Sequence, residues 1–95
     1  ANRMDELISR GRETPKVRII RMRRVPFMDS TGLHNLEIMV NQSHKNGITV
    51  VLSGVNDNVH VTLHQAGFEQ IMHAENICPN INVALDRARE IVASK

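Results

Sequence analysis

The densest grouping of residues able to do chemistry is Asp29-Ser30-Thr31-Gly32, preceded by Phe27 and Met28 and followed by His34. Asp, Ser and Thr each carry a side-chain oxygen that accepts a hydrogen bond from the orphan amides of a first helical turn. At least one of Asp29, Ser30 and Thr31 is therefore expected to cap a helix here. A hydroxyl at the positive end of a helix dipole, on a loop at the carboxyl end of a strand, is also placed to carry or bind a phosphate. Spacing alone does not choose between the two. His60 and His64 stand i, i+4, which is metal-ligand spacing, but no Glu follows His60 and no third ligand is evident. A solvated helix face is the plainer reading, and no metal is expected. His34 and Glu37 read as surface residues near the loop rather than an acid-base pair. Cys78, set among apolar neighbours before Pro79, reads as core rather than nucleophile. No Gly-x-x-x-x-Gly-Lys phosphate cradle exists, and Gly32, Gly47, Gly54 and Gly67 are isolated at turns or helix ends. No nucleophile, base and oxyanion donors converge, so no enzyme is expected.

The elements that must hold this loop follow from periodicity. Residues 16–24 form the first strand, with Val17, Ile19 and Ile20 as its apolar centre and Arg18, Arg21, Arg23 and Arg24 distributed over both faces, their stems snorkelling. Leu33, Leu36, Met39 and Val40 then recur at helical spacing over residues 30–45, and Asn46-Gly47 is a left-handed stop. The nearly continuous apolar run Ile48-Thr49-Val50-Val51-Leu52 is a strand of the kind buried on both faces of a parallel sheet. Ser53-Gly54 turns the chain, and Asn56, Asp57 or Asn58 caps a third helix through Val59, Leu63 and Ala66, ended by Gly67. Residues 68–78 are ambiguous: Ile71-Met72 suits a short strand or a helical turn, and Asn76-Ile77-Cys78 a brief edge strand. Pro79-Asn80 opens a last helix whose stripe is Ile81, Ala84, Leu85, Ala88, Ile91 and Val92. Ahead of all this, Met4, Leu7 and Ile8 give residues 1–12 a helical pattern. The alternation implies an α/β fold, a mostly parallel sheet covered by helices. A sheet this narrow, opening on a helix, implies that something precedes residue 1 in the parent protein.

Composition bounds the rest. Ninety-five residues make one small domain, and with Phe27 and Phe68 its only aromatics, aliphatic side chains and methionine must fill the core. A single cysteine excludes an intrachain disulfide and a Cys-rich zinc site. Net charge is +2, but residues 1–24 hold eight Lys or Arg against three Asp or Glu, and residues 25–95 four against seven. A basic leading segment suits nucleic acid or an anionic membrane leaflet. With no interleaved aromatics and no helix-turn-helix or RNA-binding signature, nucleic acid is not expected.

The stretch from Pro15-Lys16-Val17-Arg18-Ile19-Ile20 through Met22-Arg23-Arg24-Val25-Pro26-Phe27-Met28 to Asp29-Ser30-Thr31-Gly32-Leu33 resembles the core of a STAS domain. That fold is shared by anti-sigma factor antagonists and the cytoplasmic tails of SulP anion transporters. Gly47 through Gly54 is similar to the family's next strand and turn, and Ala66-Gly67-Phe68 to the end of its third helix. Three further segments are similar to SulP tails: Thr31-Gly32-Leu33-His34-Asn35-Leu36-Glu37, Glu75-Asn76-Ile77-Cys78-Pro79, and Ala84 through Glu90.

The resemblance implies that residues 1–95 are a STAS domain, a fragment lacking the N-terminal strand with which the family normally begins and cut from a larger membrane transporter. The edge left bare by that strand would be able to pair two copies as a homodimer. It would lie on the cytoplasmic face of the inner or plasma membrane. The implied function is a non-catalytic regulatory and interaction module of a sulfate or related inorganic anion transporter. Its docking loop is Phe27, Met28, Asp29, Ser30, Thr31, Gly32 and His34. The implied partners are the transmembrane domain of the same transporter and a cytoplasmic regulatory protein. The alternative is a free-standing anti-sigma factor antagonist switched by phosphorylation of Ser30, with Thr31 as a second candidate. Family likeness also raises a nucleotide as ligand. By the crevice rule it would sit at the loops after the strands, residues 27–31 and 53–58.

Overall fold

The computed structural model describes residues 15–94, and the helix expected over residues 1–12 lies outside them. In order, the described elements are β1 (Val17–Arg21), α1 (Ser30–Lys45), β2 (Thr49–Ser53), α2 (Asp57–Gln65), α3 (Phe68–Met72), a 3₁₀ turn (Ala74–Asn76) and α4 (Ile81–Ser94). The strands are parallel, with Val17 opposite Thr49 and Arg21 opposite Ser53. Ile77 adds a parallel bridge to Leu52, on the side of β2 away from β1. It is held there by Cys78 N–H donating to the Leu52 carbonyl at 2.8 Å and Val55 N–H donating to the Cys78 carbonyl at 3.1 Å. The brief edge pairing expected at residues 76–78 is therefore present. Among the described residues no strand lies along the outer side of β1.

Strand alternation sorts the core into two layers. Ile20, Val50 and Leu52 face α1, α2 and α3, where they meet Leu36, Val40, Val59, Leu63, Phe68 and Met72. Val17, Ile19 and Val51 face the other way, towards Cys78, Ala84 and Ile91, so among the described elements α4 covers that side. Val50, Val51 and Leu52 are fully buried, which is why this run lacks the apolar-polar alternation of a half-exposed strand. Removing each from water stabilises the fold by about 1.5–3 kcal/mol.

The structure shifts or sharpens four of the pattern-based expectations. β1 stops at Arg21 rather than residue 24, because Met22 turns inward to 4% exposure and Val25 N–H closes a turn onto the Met22 carbonyl at 3.0 Å. β2 begins at Thr49 and extends to Ser53, whose carbonyl accepts from Met22 N–H at 2.7 Å. Of the two readings left open for Ile71-Met72, the structure takes the helical one, over Phe68–Met72. Gly67 at φ +79° reverses the chain after α2, so Phe68 and Met72 enter the same core as Leu63. The apolar stripe of α4 is only partly used: Ala84 and Ile91 are buried, whereas Leu85 and Val92 remain 38% and 48% exposed. A helix on a sheet this narrow buries one edge of a broad stripe and leaves the other to solvent.

Candidate functional site

The loop from β1 to α1 is built by two caps. Asp29 is the N-cap of α1: its Oδ1 accepts from Gly32 N–H at 2.8 Å and its carbonyl from Leu33 N–H at 3.0 Å. Of the three candidate oxygens, the carboxylate takes the role, and Ser30 and Thr31 become the first helical residues. Asn56 caps α2, its Oδ1 accepting from Val59 N–H at 2.8 Å. The same amide group turns its Nδ2 to the Val25 and Pro26 carbonyls, at 3.1 and 3.3 Å. One side chain thus starts α2 and clamps the loop that precedes α1.

On this frame the expected docking residues divide. Met28 tucks its side chain against the larger core layer, anchoring the loop. Phe27, Ser30, Thr31 and His34 face solvent, with Phe27 70% exposed. Gly32 is held close to its neighbours, since a Cβ there would sit 3.3 Å from Asp29 Oδ1 and 3.4 Å from Met28 Cε. No described acid or base hydrogen-bonds the Ser30 hydroxyl, and His34 and Glu37 form no pair. The loop presents an aromatic ring and two hydroxyls on a base fixed by the two caps.

The other sequence candidates are structural. His64 pairs through Nδ1 with Glu69 Oε1, linking α2 to α3. His60 is exposed, and no three potential ligands cluster among the described residues. Cys78 is 1% exposed, with its Sγ 3.6 Å from the Glu75 carbonyl. Burial pushes its thiol up, against a smaller downward pull from Arg87, so it stays protonated and inert. Arg87 is instead bound to the buried Asn76, Nε to Oδ1 at 2.7 Å, while Asn76 Nδ2 donates to the Met72 carbonyl at 2.8 Å. This chain of bonds ties α4 to the end of α3.

Sequence reasoning missed a second feature. Beside the strand ends lies a cleft of about 360 Å³ that draws on the 53–58 loop but not on residues 27–31. Arg21 and Arg23 project along it, and the signal that could have found them was their position at the end of β1.

The chain belongs to the STAS domain family, whose model matches residues 1–84. Among solved structures it is similar to a sulfate transporter family protein from Wolinella succinogenes, at 37% identity and a TM-score of 0.81. That match covers 96% of this chain and 75% of that one. It is likewise similar to the STAS domain of a SulP transporter from Vibrio cholerae, at 35% identity and a TM-score of 0.82, over 97% of this chain and 72% of that one. A comparison with curated proteins returned no match. No helix among the described residues is long and apolar enough to cross a membrane.

Proposed function

We propose that this chain is the non-catalytic regulatory module of a SulP-type anion transporter, lying on the cytoplasmic side and contacting the transmembrane domain through the loop from Phe27 to His34. Likeness to SulP-family structures at 35–37% identity, along nearly the whole chain, supports the assignment to this branch. The observation that carries the docking surface is Phe27, a large apolar ring left 70% exposed on a loop fixed by the Asp29 and Asn56 caps. A rigid, solvated aromatic binds with little ordering cost, the quality of an interface anchor. The exposed Arg21, Arg23 and Arg24, close by in the turn after β1, suit the anionic headgroups of a cytoplasmic leaflet. The two solved structures described above come from sulfate-transporter or SulP proteins, so the free-standing antagonist switched at Ser30 is the less favoured reading.

The test uses the intact transporter that carries this domain. Phe27→Glu should lower its radiolabelled sulfate uptake several-fold at equal membrane abundance, and Phe27→Leu should restore most of it. Uptake unchanged by Phe27→Glu would remove the docking surface.

A further inference from the structure

From the cleft at the strand ends, we infer that this domain holds a second site, one that takes a tetrahedral oxyanion: free sulfate or phosphate, or the terminal phosphoryl group of a nucleotide. The site is separate from the Asp29-Ser30-Thr31 loop and does not depend on the transporter reading.

The floor follows from register. Arg21 and Ser53 are directly opposite one another across β1 and β2. Val17 and Ile19 on one strand and Val51 on the other face α4, so by strand alternation Arg21 and Ser53 face the same side, below the start of α4. Both line the cleft, together with Arg23, Gly54, Asn80 and Ile81.

Ser53 carries the inference. It is 1% exposed, yet its hydroxyl has no hydrogen-bond partner among the described residues. No described side-chain oxygen is both unpaired and wholly sealed, so the sliver of Ser53 still open to solvent lies at this hydroxyl. A hydroxyl that opens there with no protein partner is free to donate to a ligand oxygen that reaches into the cleft.

The cleft also has the charge for an anion. The side chains of Arg21 and Arg23 make no ion pair or hydrogen bond with any described residue, and no Asp or Glu lines the cavity. Two unpaired guanidinium forks at one small opening match the geometry of a phosphate or sulfate, which accepts paired, charge-assisted hydrogen bonds. An adjoining hollow lined by Arg21, Arg23, Arg24 and Val25 continues the basic surface outwards, giving a larger ligand room beyond the oxyanion.

The backbone completes the cradle. Gly54 has φ +71°, and a Cβ there would lie 2.8 Å from the Arg23 Cα and N, so only glycine lets the two loops close to this distance. Asn80 caps α4, its Oδ1 accepting from Val83 N–H at 2.9 Å and its carbonyl from Ala84 N–H at 3.1 Å. The earlier amides of α4 have no partner within the helix, and Ile81 lines the cleft. The α4 dipole therefore adds to a site whose charge comes from the arginines.

Calorimetry on the 95-residue chain at fixed ionic strength tests this, with sodium phosphate, sodium sulfate, guanosine diphosphate, adenosine diphosphate and the unphosphorylated nucleosides as separate probes. The expected result is saturable binding of at least one oxyanion and none of the nucleosides. A diphosphate that binds tighter than inorganic phosphate identifies a nucleotide site, and equal or weaker binding identifies a free-anion site. Arg23→Met and Arg21→Met should each weaken binding about tenfold, and Ser53→Ala a few-fold. Arg89→Met, which removes the same charge from the exposed side of α4, should leave it unchanged. Absence of saturable heat with every oxyanion overturns the inference. An equal loss in Arg89→Met and Arg23→Met overturns it too, since the effect would then be net charge rather than a site.

Discussion

Two regions at the carboxyl ends of the strands use their polar groups in opposite ways. At the starts of α1 and α2, Asp29 spends its carboxylate on the Gly32 amide, and Asn56 spends both ends of its amide on Val59, Val25 and Pro26. In the cleft beside α4, Ser53 from the end of β2 keeps its hydroxyl, and Arg21 and Arg23 from the end of β1 keep their guanidinium groups, all without a partner among the described residues. The segment with a recognisable motif is therefore the one whose polar chemistry is consumed in holding its shape. The segment with no motif retains the capacity to bind. A residue type suited to binding is equally suited to capping, and only tertiary geometry tells which use has been made of it.

Substitutions can break that contrast, the largest effect coming at the join between the loops. Gly54→Ala forces a left-handed backbone on alanine and drives its Cβ into the Arg23 main chain. Urea unfolding should report a loss of about 2–4 kcal/mol. An unchanged midpoint would show that the close approach of the loops is not a constraint. Asn56→Ala removes cap and clamp together and should cost about 1–2 kcal/mol. Asn56→Asp keeps the acceptor for Val59 but loses the donor to Val25 and Pro26. It should therefore recover part of the stability while leaving the amide signals of residues 25–28 displaced.

Within the first loop, Asp29→Ala should cost about 1 kcal/mol as a lost N-cap. Ser30→Ala should stay within about 0.5 kcal/mol, being an exposed first-turn substitution. Reversed magnitudes would return the capping role to the hydroxyl. The smallest effect belongs to Cys78, whose carbonyl holds the second loop through Val55. Burial keeps its folded thiol protonated to higher pH than in the unfolded chain. The folded state then binds more protons, so stability should fall as pH rises past the ordinary thiol value. Cys78→Ala should lose this alkaline decline.

Much of the scaffold was legible because it rests on local signals. The helix over residues 30–45 showed in the spacing of Leu33, Leu36 and Val40, and the buried strand in the unbroken run to Leu52. The caps of α2 and α4 were readable as residue types, Asn56 and Asn80. Less legible was whatever depended on a partner distant in sequence. Five residues from Phe68 to Met72 fit strand or helix equally until the turn at Gly67 directs them into the core. The second bond of Asn56 reaches a loop 30 residues earlier. Arg21 became a cleft residue only through its pairing with Ser53, a register that no single-strand pattern contains. The broad stripe of α4 gave its buried face correctly through Ala84 and Ile91, but nothing in its period told that Leu85 and Val92 would stay exposed.

The contrast between the loops is tested most directly by following two glycine amides in one spectrum of the folded chain as phosphate is added at constant ionic strength. Gly32, whose N–H is already held by Asp29, should stay in place, while Gly54, in the wall of the cleft, should move along a saturating curve. Saturable movement of Gly32 with Gly54 unmoved would contradict the account and return the binding chemistry to the loop after β1.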